Sequence, residues 1–381
     1  MQRRIGIEHE FTVRHVGGRH DSGVIDARKL LPGLQGLGPR LDPADRHARR
    51  GPWGGVVTCD AKELEVVTPP TLLAPVAVGL TAGLALAGRR AVEAALPDDL
   101  ALRGYSTHLN VEVRDRLARR IADVVATRLA IPVMFALDRP ASPGLLVRPR
   151  HRRLELGGEY VRGDHLRVAI TLAVGATLLG EQLAARLRSR GATAPPVLDV
   201  RLQRPPQRFG WFVDRRAFGP DVYRDGRSAR VWTEGGRALR VADLLTICWT
   251  AMRPLVEPCC DGRDVAAVDA VIEGRSPFAV ESERCSDDEV TEVFGHDIAR
   301  AMTRGAVSLT AVTATWRAVV FDARCDGRRR FVTVPGEAVD HFLQSWQAGD
   351  LDAWFADRVF CIGKRRSSFR NVGLPDWTRS P

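Results

Sequence analysis

The chain has 381 residues, a formal net charge of +10 and 45% apolar residues, enough to bury a sizeable core in one large domain or two ordinary ones. All but three of its 56 basic residues are arginines, the lysines being Lys29, Lys62 and Lys364. A GC-rich coding bias gives such an excess, and no stretch interleaves basic and aromatic residues, so nucleic acid is not an expected partner.

The seven cysteines are scattered without a Cys-x-x-Cys pair, which suits reduced thiols in a cytosol. Residues 1–4 run straight into a strand, so a cytoplasmic protein without a signal peptide is expected.

The first strand is Ile5-Gly6-Ile7-Glu8-His9-Glu10-Phe11. Side chains alternate across a strand, so Glu8 and Glu10 share one face and His9 and Phe11 the other. Residues 17–56 form a long connection with a short helical piece at 25–34. A second strand, 63–68, is stopped by Pro69-Pro70. The apolar run 71–88 contains Pro75, Gly79, Thr81 and Gly83 and lacks aromatic anchors. It reads as a buried helix from Pro75 to about Leu96 and not as a membrane span.

A third strand covers 106–113. Helical patterns follow at 117–129 and 133–137. Arg148, Arg150, Arg152 and Arg153 lead into a fourth strand, 154–156, ending at Gly157-Gly158. A long helix spans 164–188 with Asp164 at its start. The region 190–235 is loop-rich. Helical patterns return at 241–256, 263–273 and 287–304, then a short strand at 331–334, a helix at 337–356 and a basic tail. The chain divides accordingly into 1–240 and a mainly helical remainder, 241–381.

Four strands carry polar residues on one face: Glu8 and Glu10; Glu63 and Glu65; His108, Asn110 and Glu112; and Glu155. Unpaired buried charges cost several kcal/mol each (roughly 3–5) when a partner is missing. The face is therefore either solvated or a metal site, and a hard divalent ion such as Mg²⁺ or Mn²⁺ suits oxygen ligands. The flanking arginines then suit phosphates. No lysine is followed by Ser or Thr, so there is no Walker A loop. Gly33, Gly36 and Gly38 do not have the dinucleotide spacing, and neither a Gly-x-Ser-x-Gly elbow nor a His-Glu-x-x-His motif occurs.

At its start the chain resembles the Pup ligase and depupylase family (PafA and Dop), within the glutamine synthetase and glutamate–cysteine ligase superfamily of carboxylate–amine ligases. The resemblance lies in residues 1–11; in Glu65-Val66-Val67-Thr68-Pro69 with Asp60 upstream, at a spacing like the depupylase side; in His108-Leu109-Asn110; and in Arg152-Arg153-Leu154-Glu155 with Val174-Gly175-Ala176-Thr177 on a helix. It covers residues 1–190. Two departures stand out: Gly157 where glutamine synthetases place an Arg, and Glu155 where a His is expected in Pup ligases.

The resemblance implies an α+β fold with a curved, mostly antiparallel sheet packed by helices and cradling Mg²⁺ and ATP. It implies Glu8, Glu10 and Glu65 as metal ligands, with His108 and Glu155 at a second metal. His108, Asn110, Arg152 and Arg153 would face the nucleotide. Asp60 would be the base, and Arg152 and Arg153 would contact the transferred phosphoryl group. The implied activity is amide or isopeptide formation through an acyl phosphate, from a carboxylate donor (peptide, Pup-like protein tail or amino acid) and an amine acceptor. A depupylase-like amidase using nucleotide as cofactor, with Asp60 activating water, and a decayed nucleotide-binding protein are the alternatives.

Overall fold

The computed structural model describes residues 3–16, 24–42, 45–186, 194–200, 202, 210–282 and 301–360. Ten strands make one sheet: β1 (Arg4–His15), β2 (Arg40–Asp42), β3 (Asp45–Arg50), β4 (Val56–Asp60), β5 (Glu63–Val67), β6 (Thr71–Leu72), β7 (Leu100–Glu112), β8 (Gly144–Arg150), β9 (Arg153–Glu159) and β10 (Trp211–Asp214). The order is β10-β8-β9-β7-β1-β5-β4-β3-β2, with β6 beside β1. Its pairings are antiparallel. This is the expected α+β class, and β1 stands at the centre of the sheet.

The helices are α1 (Ala27–Leu30), α2 (Ala77–Glu93), α3 (Ala118–Val124), α4 (Ala130–Leu137), α5 (Gly163–Ala185), α6 (Val222–Asp225), α7 (Val241–Val256), α8 (Gly262–Ile272) and α9 (Val339–Ala348). One face of the sheet supplies Ile5, Ile7, Leu109, Val111, Leu145, Val147, Leu154 and Leu156 to a core shared with α3, α4 and α5. The period-two alternation of those strands leaves the polar partners on the opposite face. Helix α5 is apolar on nearly every side and is long enough to cross a membrane, but 78% of its most apolar window is buried in the fold. It is the central core helix, flanked by α3, α4, α7 and α8.

That packing moves the expected boundary at residue 240. Leu244, Leu245, Trp249, Val268 and Val280 belong to the same core as Ile5, so the first unit runs to about residue 282. Residues 301–360 have their own core of Phe321, Val332, Phe342, Trp346 and Phe355. Here the sequence shows one short strand, whereas the structure has four: β13 (Met302–Arg304), β14 (Val307–Ala314), β15 (Ala318–Cys325) and β16 (Arg328–Pro335), following a ribbon of β11 (Arg230–Trp232) and β12 (Ala238–Arg240).

The helix expected at 287–304 falls outside the described residues up to 300, and 302–304 is strand. Pairing to Val307–Leu309 overrides the local helical pattern there. Helix α9 stops at Gly349, whose φ of 91° takes it out of the helical region. Most of the basic tail, 361–381, also lies outside the described residues.

Asp264 on α8 is buried and pairs with Arg167 on α5, Arg167 Nη2 lying 2.7 Å from its carboxylate. If α8 is integral to the first core, Asp264→Ala leaves a buried guanidinium unpaired and costs about 3 kcal/mol or more. Urea unfolding should then show a single transition shifted by that amount. A loss under about 1 kcal/mol, as for a surface pair, would count against it.

Candidate active site on the open sheet face

Register lines up the polar residues in rows across the strands. One row reads Glu159, Ser106, Glu10, Glu65, Thr58. The next reads Phe212, Leu146, Gly157, His108, Glu8. A third joins Arg148, Glu155, Asn110 and Gly6. The acidic residues of β1 and β5 are thus direct cross-strand neighbours, an arrangement that repels unless something positive intervenes.

His108 is that positive group. Its Nδ1 lies 3.7 Å from Glu8 Oε2 and 3.9 Å from Glu10 Oε1. Burial alone disfavours its cation, but the Glu8 contact and the charges of Glu10 and Glu155 outweigh burial and lift its pKa to about 9. Burial likewise pushes Glu8 up, and His108, Arg153 and Arg150 together hold it below the usual carboxylate range. Glu10 is raised by burial, although Ser106 Oγ donates to its Oε2 at 2.6 Å. Glu65 is raised furthest, to about 8, by burial and then by the charges of Glu8 and Glu10. Among the described residues no hydrogen bond or ion pair holds its carboxylate.

Gly157 explains how His108 fits. A Cβ there would stand 2.8 Å from His108 Cδ2 and 3.1 Å from Nε2, so the bare strand is the shelf on which the imidazole lies. The guanidinium charge of the site comes from β8 and β9 instead. Arg148 Nη1 is 2.9 Å and Arg150 Nε 2.7 Å from the carboxylate of Glu155, which is 0% exposed. Arg153 Nε donates to Asn110 Oδ1 at 2.7 Å, and its Nη2 lies 3.9 Å from Glu8.

Of the expected residues, Glu8, Glu10, Glu65 and His108 converge. Glu155 does not join them, because two arginines already neutralise it. Asn110 orients Arg153 and faces no other described partner with its oxygen. Arg152 departs from the expected phosphate contact: it sits in the β8–β9 turn at a φ of 56°, and its guanidinium is 3.1 Å from Glu112. Asp60 lies at the exposed end of β4 opposite Glu63, on the acidic face and close enough to raise both Glu10 and Glu65.

Trp316 is a site residue that the strand motifs do not point to. It stands between β14 and β15 and lies over Arg153, with the guanidinium carbon 5.5 Å from the ring centroid. Its Nε1 is 3.2 Å from where a Cβ on Gly6 would be. The hairpin of the second sheet therefore roofs the arginine end of the site. Nothing local in the sequence signals this, since Trp316 and Arg153 are far apart in the chain.

Among the described residues no three His, Cys, Asp or Glu side chains stand close enough to hold an ion as placed. The donor set nonetheless fits a hard divalent cation: three carboxylates from adjacent strands share one face, and one of them has no compensating partner. Arg148 and Arg150, in contrast, already neutralise the charge of Glu155.

No protein-family model matches the chain, and no curated protein matches it. Among solved structures it is similar to the ligase PafA in its complex with the prokaryotic ubiquitin-like protein Pup. The identity is 11%, over 73% of this chain and 67% of that one, with a TM-score of 0.43.

A carboxyl with a raised folded pKa is at no disadvantage at low pH and becomes a burden as it ionises. Without metal, Glu65 should weaken the fold progressively between about pH 4.5 and pH 8. The elevated His108 adds stability that is complete below about pH 6.5 and lost through about pH 9. In EDTA, Glu65→Gln should melt close to wild type at pH 5 and increasingly above it towards pH 8. A constant difference across that range would contradict the assignment. The His108 imidazole should titrate near 9 by NMR, where an unpaired histidine would titrate near its ordinary value.

Proposed function

We propose that the chain is an ATP- and Mg²⁺-dependent carboxylate–amine ligase acting at the Glu8 face. The observation that carries this reading is the gathering of Glu8, Glu10 and Glu65 on one sheet face beside a guanidinium cluster. Phosphoryl transfer needs positioning and charge neutralisation more than covalent help from the protein. A face with carboxylates at one end and arginines at the other offers both.

Glu8, Glu10 and Glu65 would hold the divalent ion, which supplies neutralisation of the phosphate charge when bound. Arg153, oriented by Asn110 and covered by Trp316, would contact the transferred phosphoryl group. A carboxylate oxygen of the donor attacks the γ-phosphorus and ADP leaves. The amine then attacks the acyl carbon and phosphate leaves. The incoming amine must first lose a proton, and Asp60, at the open acidic rim, is the candidate acceptor. Trp316 and the buried floor under Glu155 exclude water from the arginine end, which protects an acyl phosphate from hydrolysis. Protonated His108 would keep the carboxylates together before the ion binds.

Melting with and without millimolar Mg-ATP tests this reading. A ligand at 100 times its Kd adds about 2.7 kcal/mol, a rise of several degrees for a chain of this size. The rise should require Mg²⁺ and disappear in Glu8→Gln. ADP release should then depend on a carboxylate and an amine together. The absence of any shift at saturating Mg-ATP would sink the proposal.

A further inference from the structure

The open face does not end at the arginines. Strand β10 extends it, with Trp211 and Val213 turned into the core and Phe212 and Asp214 turned to the same side as Glu8. Beyond β10, Trp232 of β11 and Asp199 close a cleft of about 650 Å³ over Phe218. Its two aromatic walls stand partly in water, Phe212 at 40% and Trp232 at 52% exposure. Trp53, Trp211, Trp249 and Trp346 are by comparison all buried.

Two exposed carboxylates, Asp199 and Asp214, stand beside these aromatic walls. Among the described residues no ion pair engages Asp199. Asp214 Oδ1 accepts only the backbone N–H of Arg216, at 2.8 Å. Arg216 also lines the cleft, and its own charge is answered by Asp221, 3.4 Å from its Nε. Aromatic faces beside carboxylates recognise guanidinium or ammonium groups, and the volume leaves room for a side chain together with its flanking backbone.

The cleft lies on the same sheet face as the proposed site. Phe212 and Glu8 lie in one row, with only Leu146, Gly157 and His108 between them. Four inter-strand spacings put them roughly 19 Å apart, too far for a free amino acid to bridge. An extended chain covers about 3.3 Å per residue, so about six residues span that distance.

We propose that this cleft binds an arginine or lysine side chain of a polypeptide substrate whose reacting group, about six residues away, lies at Glu8. The inference deepens the ligase reading and rests on it for the second half of the statement. The first half is tested without nucleotide.

The probe is a fluorescein-labelled glycine-spaced peptide with one arginine about six residues before a terminal glutamate, and its citrulline counterpart. Anisotropy is read with the full chain in EDTA. The arginine peptide should bind about tenfold tighter than the citrulline one. Asp199→Asn and Trp232→Leu should each remove most of that difference while melting like wild type. Equal affinity of the two peptides, or variants that bind as wild type does, overturns the cleft.

With Mg-ATP present, the peptide should tighten further, and shortening the spacer to about two residues should abolish that gain. Equal tightening with the short spacer overturns the span. Arginine-selective binding in EDTA, with no melting shift from Mg-ATP, would sink the ligase reading and leave the cleft standing.

Discussion

The constraint on which this structure turns is the crowding of carboxylates on one face of β1 and β5. Glu8, Glu10 and Glu65 are neighbours by register, so their mutual repulsion is built into the pairing of the two strands. A sheet cannot relieve it by sliding, because a one-residue slip would turn Ile7, Leu64 and Val66 out of the core. The charge must be answered from outside the two strands. His108 answers part of it from β7, and Arg153 reaches Glu8 from β9. Among the described residues Glu65 has no pairing partner, and burial first, then the charges of Glu8 and Glu10, push its carboxyl up to about 8.

The rest of the fold can be understood as support for that face. The helices lie on the other side of the sheet, so the strands are rigid from behind while the polar side stays open. Gly157, lacking a Cβ, leaves room on β9 for the His108 ring. Buried Glu155 gathers Arg148 and Arg150 by ion pairing, Arg150 also donating a hydrogen bond to it, with Arg153 set beside it on the same strand. The hairpin tip bearing Trp316 comes from residues 301–360, a unit with its own core. It gives the arginine end a roof and leaves the acidic end, with Asp60 and Glu63, open. On the proposed ligase reading, a site closed at one end and open at the other would suit two substrates, one of them shielded from water.

Several pieces were legible in the residues. Period-two alternation placed Glu8 and Glu10 on one face and Glu63 and Glu65 on another strand's matching face. Pro69-Pro70 ended the second strand, and the apolar pattern at 241–256 and 263–273 marked two helices that the structure contains. Other pieces were not legible. Strands β14 and β15 are Val- and Thr-rich stretches that favour strand, but which strands they pair with is set only by the fold. The role of Glu155 could not be read either, since Arg148 and Arg150 become its partners only when β8 folds back on β9. Arg152 and Arg153 are adjacent in sequence, but the hairpin turn sends one to Glu112 and the other to Asn110 and Glu8.

By itself the sequence determined which residues share a face on the first strands, where the second strand stops, and that a concentration of carboxylates needed compensation. These follow from local geometry: alternation along a strand, the missing N–H of proline, and charge. The tertiary structure decided which charges compensate which, where the arginine cluster closes, and that Phe212, Asp199 and Trp232 meet in one cleft. Those outcomes depend on register between strands distant in the chain and on the seating of a second sheet. Cross-strand spacing of a few ångströms separates an ion pair from a solvated charge, and no local pattern in the chain encodes that spacing.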